Sequence, residues 1–115
     1  MNKNYTWHKL AESLVELRIP ACGIVEKEVA GKKVCIILFN EQLYGCAARC
    51  PHAGGTLSEG YTDAFGNIVC PVHRYKFGLQ HGRNTSGEGY HLKMHKVEKR
   101  ADGIYIGFET SWLRG

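Results

Sequence analysis

Two short stretches of the chain each combine a cysteine with a histidine. The first, Cys50-x-His52, is separated by seventeen residues from the second, Cys70-x2-His73. A proline follows each cysteine, and glycines follow the first pair closely, so both stretches can turn tightly. Thiolate and imidazole are good ligands for zinc and for iron–sulfur centres, and the chain offers two of each. The spacing therefore predicts two equivalent ligand loops at one metal centre.

Two familiar metal sites do not fit this spacing. A C2H2 zinc finger would place both cysteines in one pair and both histidines in the other. A plant-type ferredoxin needs four cysteines in a C-x4-C-x2-C…C arrangement, which this chain does not supply. A structural zinc site stays open on the residues alone, because two thiolates and two imidazoles also satisfy tetrahedral Zn²⁺.

The mixed pairs resemble the Rieske signature, in which a C-x-H pair is followed, after a stretch of this length, by a C-x2-H pair. The resemblance extends to TLSEG at 56–60, YKFGLQHG at 75–82 and the ending GIYIGF at 103–108. It implies one [2Fe-2S] cluster in a small Rieske-type ferredoxin. The implied ligands are Cys50 and Cys70 on the inner iron, with His52 and His73 on the outer iron near the surface.

The ligand types implied by this resemblance have an electrostatic consequence. With two cysteinates and two neutral imidazoles, an added electron creates a single negative charge, whereas four cysteinates already carry two. Reduction is therefore easier, and the potential rises from about −400 mV for plant-type clusters to roughly −150 to +300 mV. Exposed imidazoles also become more basic on reduction, so the resemblance predicts a potential that depends on pH.

Four further positions suggest the lower part of that range. High-potential Rieske proteins resemble this chain but carry a Ser and a Tyr whose hydroxyls bond to the cluster sulfurs, where this chain has Tyr75 and Phe77. They also join the two loops by a disulfide, at the positions filled here by Gly55 and Val72. Both differences predict a low-potential ferredoxin of the type that serves oxygenases.

The function implied is one-electron transfer from a ferredoxin reductase to a terminal oxygenase or oxidase. The chain would then be the electron-transfer component of an oxidoreductase system and not an enzyme itself. One alternative is the small subunit of an assimilatory nitrite reductase, which resembles this fold but often lacks the cluster ligands. A second is a binding module stabilised by zinc.

Composition limits the other possibilities. The 115 residues predict one domain, 1–115, large enough to fold without disulfides. Five cysteines and no apolar N-terminal segment favour a soluble, cytoplasmic protein that does not engage a membrane. The net charge of +4 comes from scattered lysines and arginines, so nucleic acid is not an expected partner.

The remaining sequence predicts an all-β fold, an antiparallel barrel or sandwich of about six short strands. The run VCIILF, 34–39, has the length and apolarity of a strand buried on both faces. Asp102-Gly103 indicates a hairpin near the C-terminus. Leu10, Leu14 and Leu17 share one helical face, which predicts a helix in the N-terminal stretch. The glycine-rich stretch of about 48–89 is predicted to be a cluster-binding subdomain inserted between strands.

The other cysteines and histidines have no ligand spacing. Cys22, Cys35 and Cys46 are expected to be core or near-core thiols. The remaining histidines are expected to lie at the surface or to be held by hydrogen bonds; these are His8, His81, His91 and His95.

Overall fold

The computed structural model describes residues 4–51, 54–85 and 89–111. Within them the chain forms nine strands and one short α-helix. The strands are β1 (Tyr5–Ala11), β2 (Ile24–Val29), β3 (Lys32–Phe39), β4 (Gln42–Ala47), β5 (Tyr61–Thr62), β6 (Asn67–Val69), β7 (Lys76–Gly78), β8 (Met94–Arg100) and β9 (Gly103–Glu109). Helix α1 spans Leu14–Leu17, and a 3₁₀ turn spans Leu57–Glu59.

The strands form two antiparallel sheets. The larger has six strands in the order β1-β9-β8-β4-β3-β2, and the smaller has three in the order β5-β6-β7. The smaller sheet lies between β4 and β8 in the sequence, so it is built from the glycine-rich stretch. The predicted all-β antiparallel fold class is confirmed. The limits of the subdomain, about 48–89, and the single domain 1–115 stay predictions.

Strand β3 is buried on both faces, as its continuous apolar run predicted. Successive side chains of a strand point to opposite sides. Val34 and Ile36 pack into one core with Phe108, and Cys35 and Ile37 pack into the second. The second core includes the residues beneath the two ligand loops. β3 therefore connects the framework to the site.

The prediction for the N-terminal stretch was right only in part. Residues Tyr5–Ala11 form a strand that pairs with β9, and only Leu14–Leu17 are helical. The leucine spacing matched a helix locally, but Leu10 belongs to the strand. Pairing with a distant strand satisfies a whole row of backbone groups, which a single helical turn cannot do. Strands β5 and β7 were also not predicted, because they are only two and three residues long.

Tight turns bring the long strands into register. Ala30 and Gly31 join β2 to β3, and Asn40 and Glu41 join β3 to β4, all four with positive φ. Two-residue loops of this kind match the twist of the flanking strands. The last hairpin also has a two-residue loop, at 101–102, since Arg100 pairs with Gly103.

Among the described residues, no helix has the length and apolar character needed to cross a membrane.

Candidate metal centre

Each predicted ligand loop is a six-residue connection between paired residues. A bridge between Arg49 and Thr56 brackets 50–55, and the pairing of Val69 with Lys76 brackets 70–75. The cysteine is the first residue in both loops. The two loops are therefore equivalent in length and in the position of the Cys-Pro pair, although the residues after the proline differ.

Backbone hydrogen bonds close both loops at the base. The Cys50 N–H donates to the Gly55 carbonyl at 2.9 Å, and the Cys70 N–H donates to the Tyr75 carbonyl at 2.8 Å. In the first loop, the Gly54 N–H also donates to the Cys50 carbonyl at 2.8 Å. Closure at the first and last residues holds each cysteine at the base of its loop, against the core.

Both loops turn through left-handed backbone at the fifth position. Gly54 has φ of 68° and Arg74 has φ of 57°, and His73 before Arg74 is also left-handed at 63°. Glycine adopts this conformation without penalty, whereas other residues lose about 1–2 kcal/mol each. The second loop therefore holds its predicted histidine in a conformation that the surrounding structure must stabilise.

The two cysteine side chains are buried together. Cys50 is 2% exposed and Cys70 is fully buried, and both belong to the core that includes Phe77 and Leu57. Burial raises the pKa of the Cys70 thiol, the neighbouring Cys50 thiol adds to this, and a hydrogen bond from the Val72 N–H acts in the opposite direction. A bound metal would supply the positive charge needed to hold both as thiolates.

Gly55 lies close beside one of these sulfurs. A β-carbon added there would lie 3.0 Å from Cys70 Sγ and 2.9 Å from Cγ2 of Val72. Both distances are too short for ordinary contact. A glycine at this position therefore lets the first loop approach the second closely beside the buried thiol, where any side chain would clash.

Of the two predicted histidine ligands, only His73 lies within the described residues. His73 is exposed, and its ring centroid lies 6.4 Å from that of the half-buried Tyr75. His52 lies outside the described residues. Within the described residues, no three side chains capable of holding one metal ion come together. The buried thiols and the exposed imidazole thus occupy different depths, which matches a group with an inner and an outer metal atom.

Phe77 and Tyr75 occupy the positions where high-potential relatives were expected to have hydroxyl donors. Phe77 is fully buried in the core beneath the loops, and Tyr75 packs against that core. Tyr75 also contacts Tyr90, with ring centroids 6.3 Å apart. The sequence had no signal for Tyr90, which lies fifteen residues further along the chain.

The other cysteines divide into two groups. Cys35 and Cys46 are fully buried and face one another across β3 and β4, and the contact with Cys35, followed by burial, raises the Cys46 pKa well above its ordinary value. They are core thiols, as predicted. Cys22 is exposed, so its assignment to the core was wrong.

One histidine also departs from expectation. His95 is only 6% exposed, with its ring edge-on to Phe108 at 4.9 Å between centroids. Burial, with a contribution from nearby Lys93, lowers its pKa to about 4. His81 and His91 are exposed, as expected, and His8 is partly buried.

Comparison with known protein families identifies the loops. A family model described as the Rieske [2Fe-2S] domain matches residues 7–94, which includes both ligand loops. The chain belongs to the Rieske [2Fe-2S] domain family. Its cofactor is therefore a [2Fe-2S] cluster, and the paired buried thiols and the exposed His73 both fit a Rieske cluster.

Solved structures share the Rieske fold. The ferredoxin of carbazole 1,9a-dioxygenase from Nocardioides aromaticivorans IC177 is 21% identical, with a TM-score of 0.68 over 77% of this chain and 88% of that one. A chain from a complex of reduced oxygenase and oxidized ferredoxin in carbazole 1,9a-dioxygenase is 24% identical, with a TM-score of 0.74 over 92% and 96%. No curated protein matches the chain significantly.

A third solved structure represents the alternative considered from sequence. A protein described as an NADH-dependent nitrite reductase small subunit from Mycobacterium tuberculosis is 14% identical, with a TM-score of 0.76 over 91% of this chain and 96% of that one. All three identities are low enough that the likeness concerns the fold alone. The Rieske fold therefore does not separate the two functions.

Proposed function

We propose that this Rieske protein is a ferredoxin that carries one electron from a reductase to a terminal oxygenase or oxidase. The proposed ligands are Cys50 and Cys70 for the inner iron, and His52 and His73 for the outer iron. The observation that carries the proposal is the pair of equivalent six-residue loops, each with its cysteine at the buried base. When bound, the cluster would accept and release one electron.

The buried and the exposed ligand residues would have different roles. The buried Cys50 and Cys70 would anchor the cofactor in the core, and the closed loop bases would limit their movement. The exposed His73 would form the point of contact with a partner. Electron transfer is fast only when donor and acceptor are close. A ligand at the surface would allow that approach within a brief, weak complex with either partner.

The known ferredoxins with this fold support a carrier role. The solved carbazole 1,9a-dioxygenase complexes pair a ferredoxin with an oxygenase, and this chain matches nearly the whole of the ferredoxin-sized chain. By this analogy the chain is a separate electron carrier and the oxygenase is the enzyme. The absence of cysteines at Gly55 and Val72, where a loop-joining disulfide was expected in high-potential relatives, favours a reducing compartment such as the cytoplasm.

The nitrite reductase small subunit stays the second candidate because the fold fits it as well. The two candidates differ in whether a cluster is needed. A chain that retains two cysteines and two histidines at Rieske spacing has the means to hold one. This is the feature that favours the ferredoxin.

The decisive experiment is to analyse metal and sulfide in the purified protein and to record its electron paramagnetic resonance spectrum after reduction with dithionite. We expect red-brown protein with about two irons and two sulfides per chain and the signal of a reduced Rieske cluster. Colourless protein with one zinc per chain would reject the proposal in favour of the zinc-stabilised module. Metal-free protein would favour the nitrite reductase subunit.

A further inference from the structure

A mixed apolar and basic surface surrounds the exposed histidine loop. Val72 is 39% exposed and Tyr90 is 43% exposed. Arg74 in the same loop and Arg49 at the base of the first loop are also exposed. We call these four residues, Arg49, Val72, Arg74 and Tyr90, the rim.

Aromatic contacts connect the rim to the proposed ligand. The His73 and Tyr75 rings lie 6.4 Å apart, and Tyr75 and Tyr90 lie 6.3 Å apart. Tyr90 comes from the segment before β8, so two parts of the chain that are distant in sequence meet here. A partner that approaches His73 would therefore also meet the rim.

Two of the four rim residues are basic. Among the described residues, the side chains of Arg49 and Arg74 have no carboxylate partner, and Arg49 donates only to the Thr56 hydroxyl. Asp63, an acid of the smaller-sheet region, interacts with Lys76 at 3.8 Å and accepts hydrogen bonds from the Phe65 and Asn67 N–H groups. The basic charge at the rim is thus available to a partner.

We propose that the rim docks the redox partner through carboxylates on that partner's surface, with Val72 and Tyr90 as the apolar centre and the two arginines as the charged edge. This rests on the proposed function, because it assumes that electrons pass at His73. Complementary charge mainly raises the rate of encounter and keeps the complex weak, as an electron carrier requires. The inference specifies the partner's chemistry, an acidic surface around its own redox centre.

The test measures electron transfer from the reduced protein to two small oxidants of opposite charge. Hexacyanoferrate(III) represents the acidic partner, and tris(phenanthroline)cobalt(III) represents a basic one; each takes one electron from the cluster. We expect the second-order rate constant with hexacyanoferrate(III) to fall as ionic strength rises, and the cobalt complex to show the opposite trend.

Variants at Arg74 test whether the charge acts at the rim itself or only through the net charge of the protein. Asp and Asn both tolerate left-handed backbone, so Arg74→Asp and Arg74→Asn change the charge without forcing the loop to refold. Arg74→Asp should lower the rate with hexacyanoferrate(III) about three- to tenfold at low salt, with Arg74→Asn intermediate. Lys99→Asp makes the same change of charge at an exposed residue in the last part of β8, outside the rim, and it should have much less effect.

Any of the following outcomes would overturn the proposed docking surface. Equal effects of Arg74→Asp and Lys99→Asp would mean that only net charge matters. Co-sedimentation of the protein with vesicles of anionic lipid near 0.15 M salt, lost in Arg74→Asp, would assign the rim to a membrane surface instead. The reduced cluster's paramagnetic signal is recorded first. Its absence contradicts the proposed function, whereas an intact signal with charge-independent kinetics contradicts only the docking surface.

Discussion

Gly55 and Val72 face each other across the two ligand loops. A β-carbon built on Gly55 would lie 3.4 Å from Cβ of Val72, just below the separation of roughly 3.5–4.5 Å found in disulfides. These are the positions at which the sequence resemblance placed the loop-joining disulfide of high-potential relatives. The geometry of this Rieske protein agrees with that alignment, although neither residue is a cysteine.

The double variant Gly55→Cys/Val72→Cys should therefore form a disulfide on mild oxidation. The count of free thiols should fall by two relative to the reduced form, as measured by thiol titration under denaturing conditions and by mass spectrometry. The single variants serve as controls and should keep their added thiol. If the double variant also kept both thiols free, the facing arrangement of the loops would be contradicted.

The reduction potential is expected to lie in the lower part of the Rieske range. Phe77 is buried without a hydroxyl, so it cannot donate a hydrogen bond that would stabilise the reduced cluster. Voltammetry near pH 7 should give a value well below the top of the range of roughly −150 to +300 mV, and the value should fall as pH rises through the histidine titration. A potential above about +200 mV would contradict the argument from missing donors.

Replacing a proposed histidine ligand by cysteine should lower the potential. His73→Cys or His52→Cys would substitute a charged thiolate for a neutral imidazole, which makes the addition of an electron harder. We expect a bleached or unstable cluster whose potential, where measurable, lies below that of the wild type. His91→Cys makes the same substitution at an exposed histidine and should leave the spectrum unchanged. An unchanged potential in both ligand variants would remove the two histidines from the site.

Because His95 is buried, the free energy of unfolding should fall in mild acid. Its pKa is lowered from 6.5 to about 4 by burial, so the unfolded chain binds a proton more readily than the folded chain. The stability it contributes is complete above about pH 6.5 and declines as pH falls toward 4. Between pH 7 and pH 5 the loss should be about 2 kcal/mol.

Urea unfolding at these two pH values measures that loss. His95→Leu removes the titrating group and should reduce the difference in unfolding free energy between pH 7 and pH 5. His91→Leu, at an exposed position, should keep the wild-type difference. If His95→Leu kept the full difference, other groups would be responsible for the acid sensitivity.

The sequence by itself predicted the chemistry of the site and determined one of the buried strands. Cys50, His52, Cys70 and His73 could be proposed as ligands because ligand spacing within a short loop is a local property of the chain. Strand β3 could be recognised for the same reason, since its uninterrupted apolar run can only be buried on both faces.

Only the tertiary structure decided the relationships between distant segments. Strand β1 forms because β9, about a hundred residues away, offers it a partner, and local leucine spacing misled the prediction. The contact of Tyr90 with Tyr75, the opposition of Gly55 to Val72 and the burial of His95 likewise depend on packing across the chain. Such contacts depend on which surfaces the fold brings together, and spacing along the sequence carries no record of that choice.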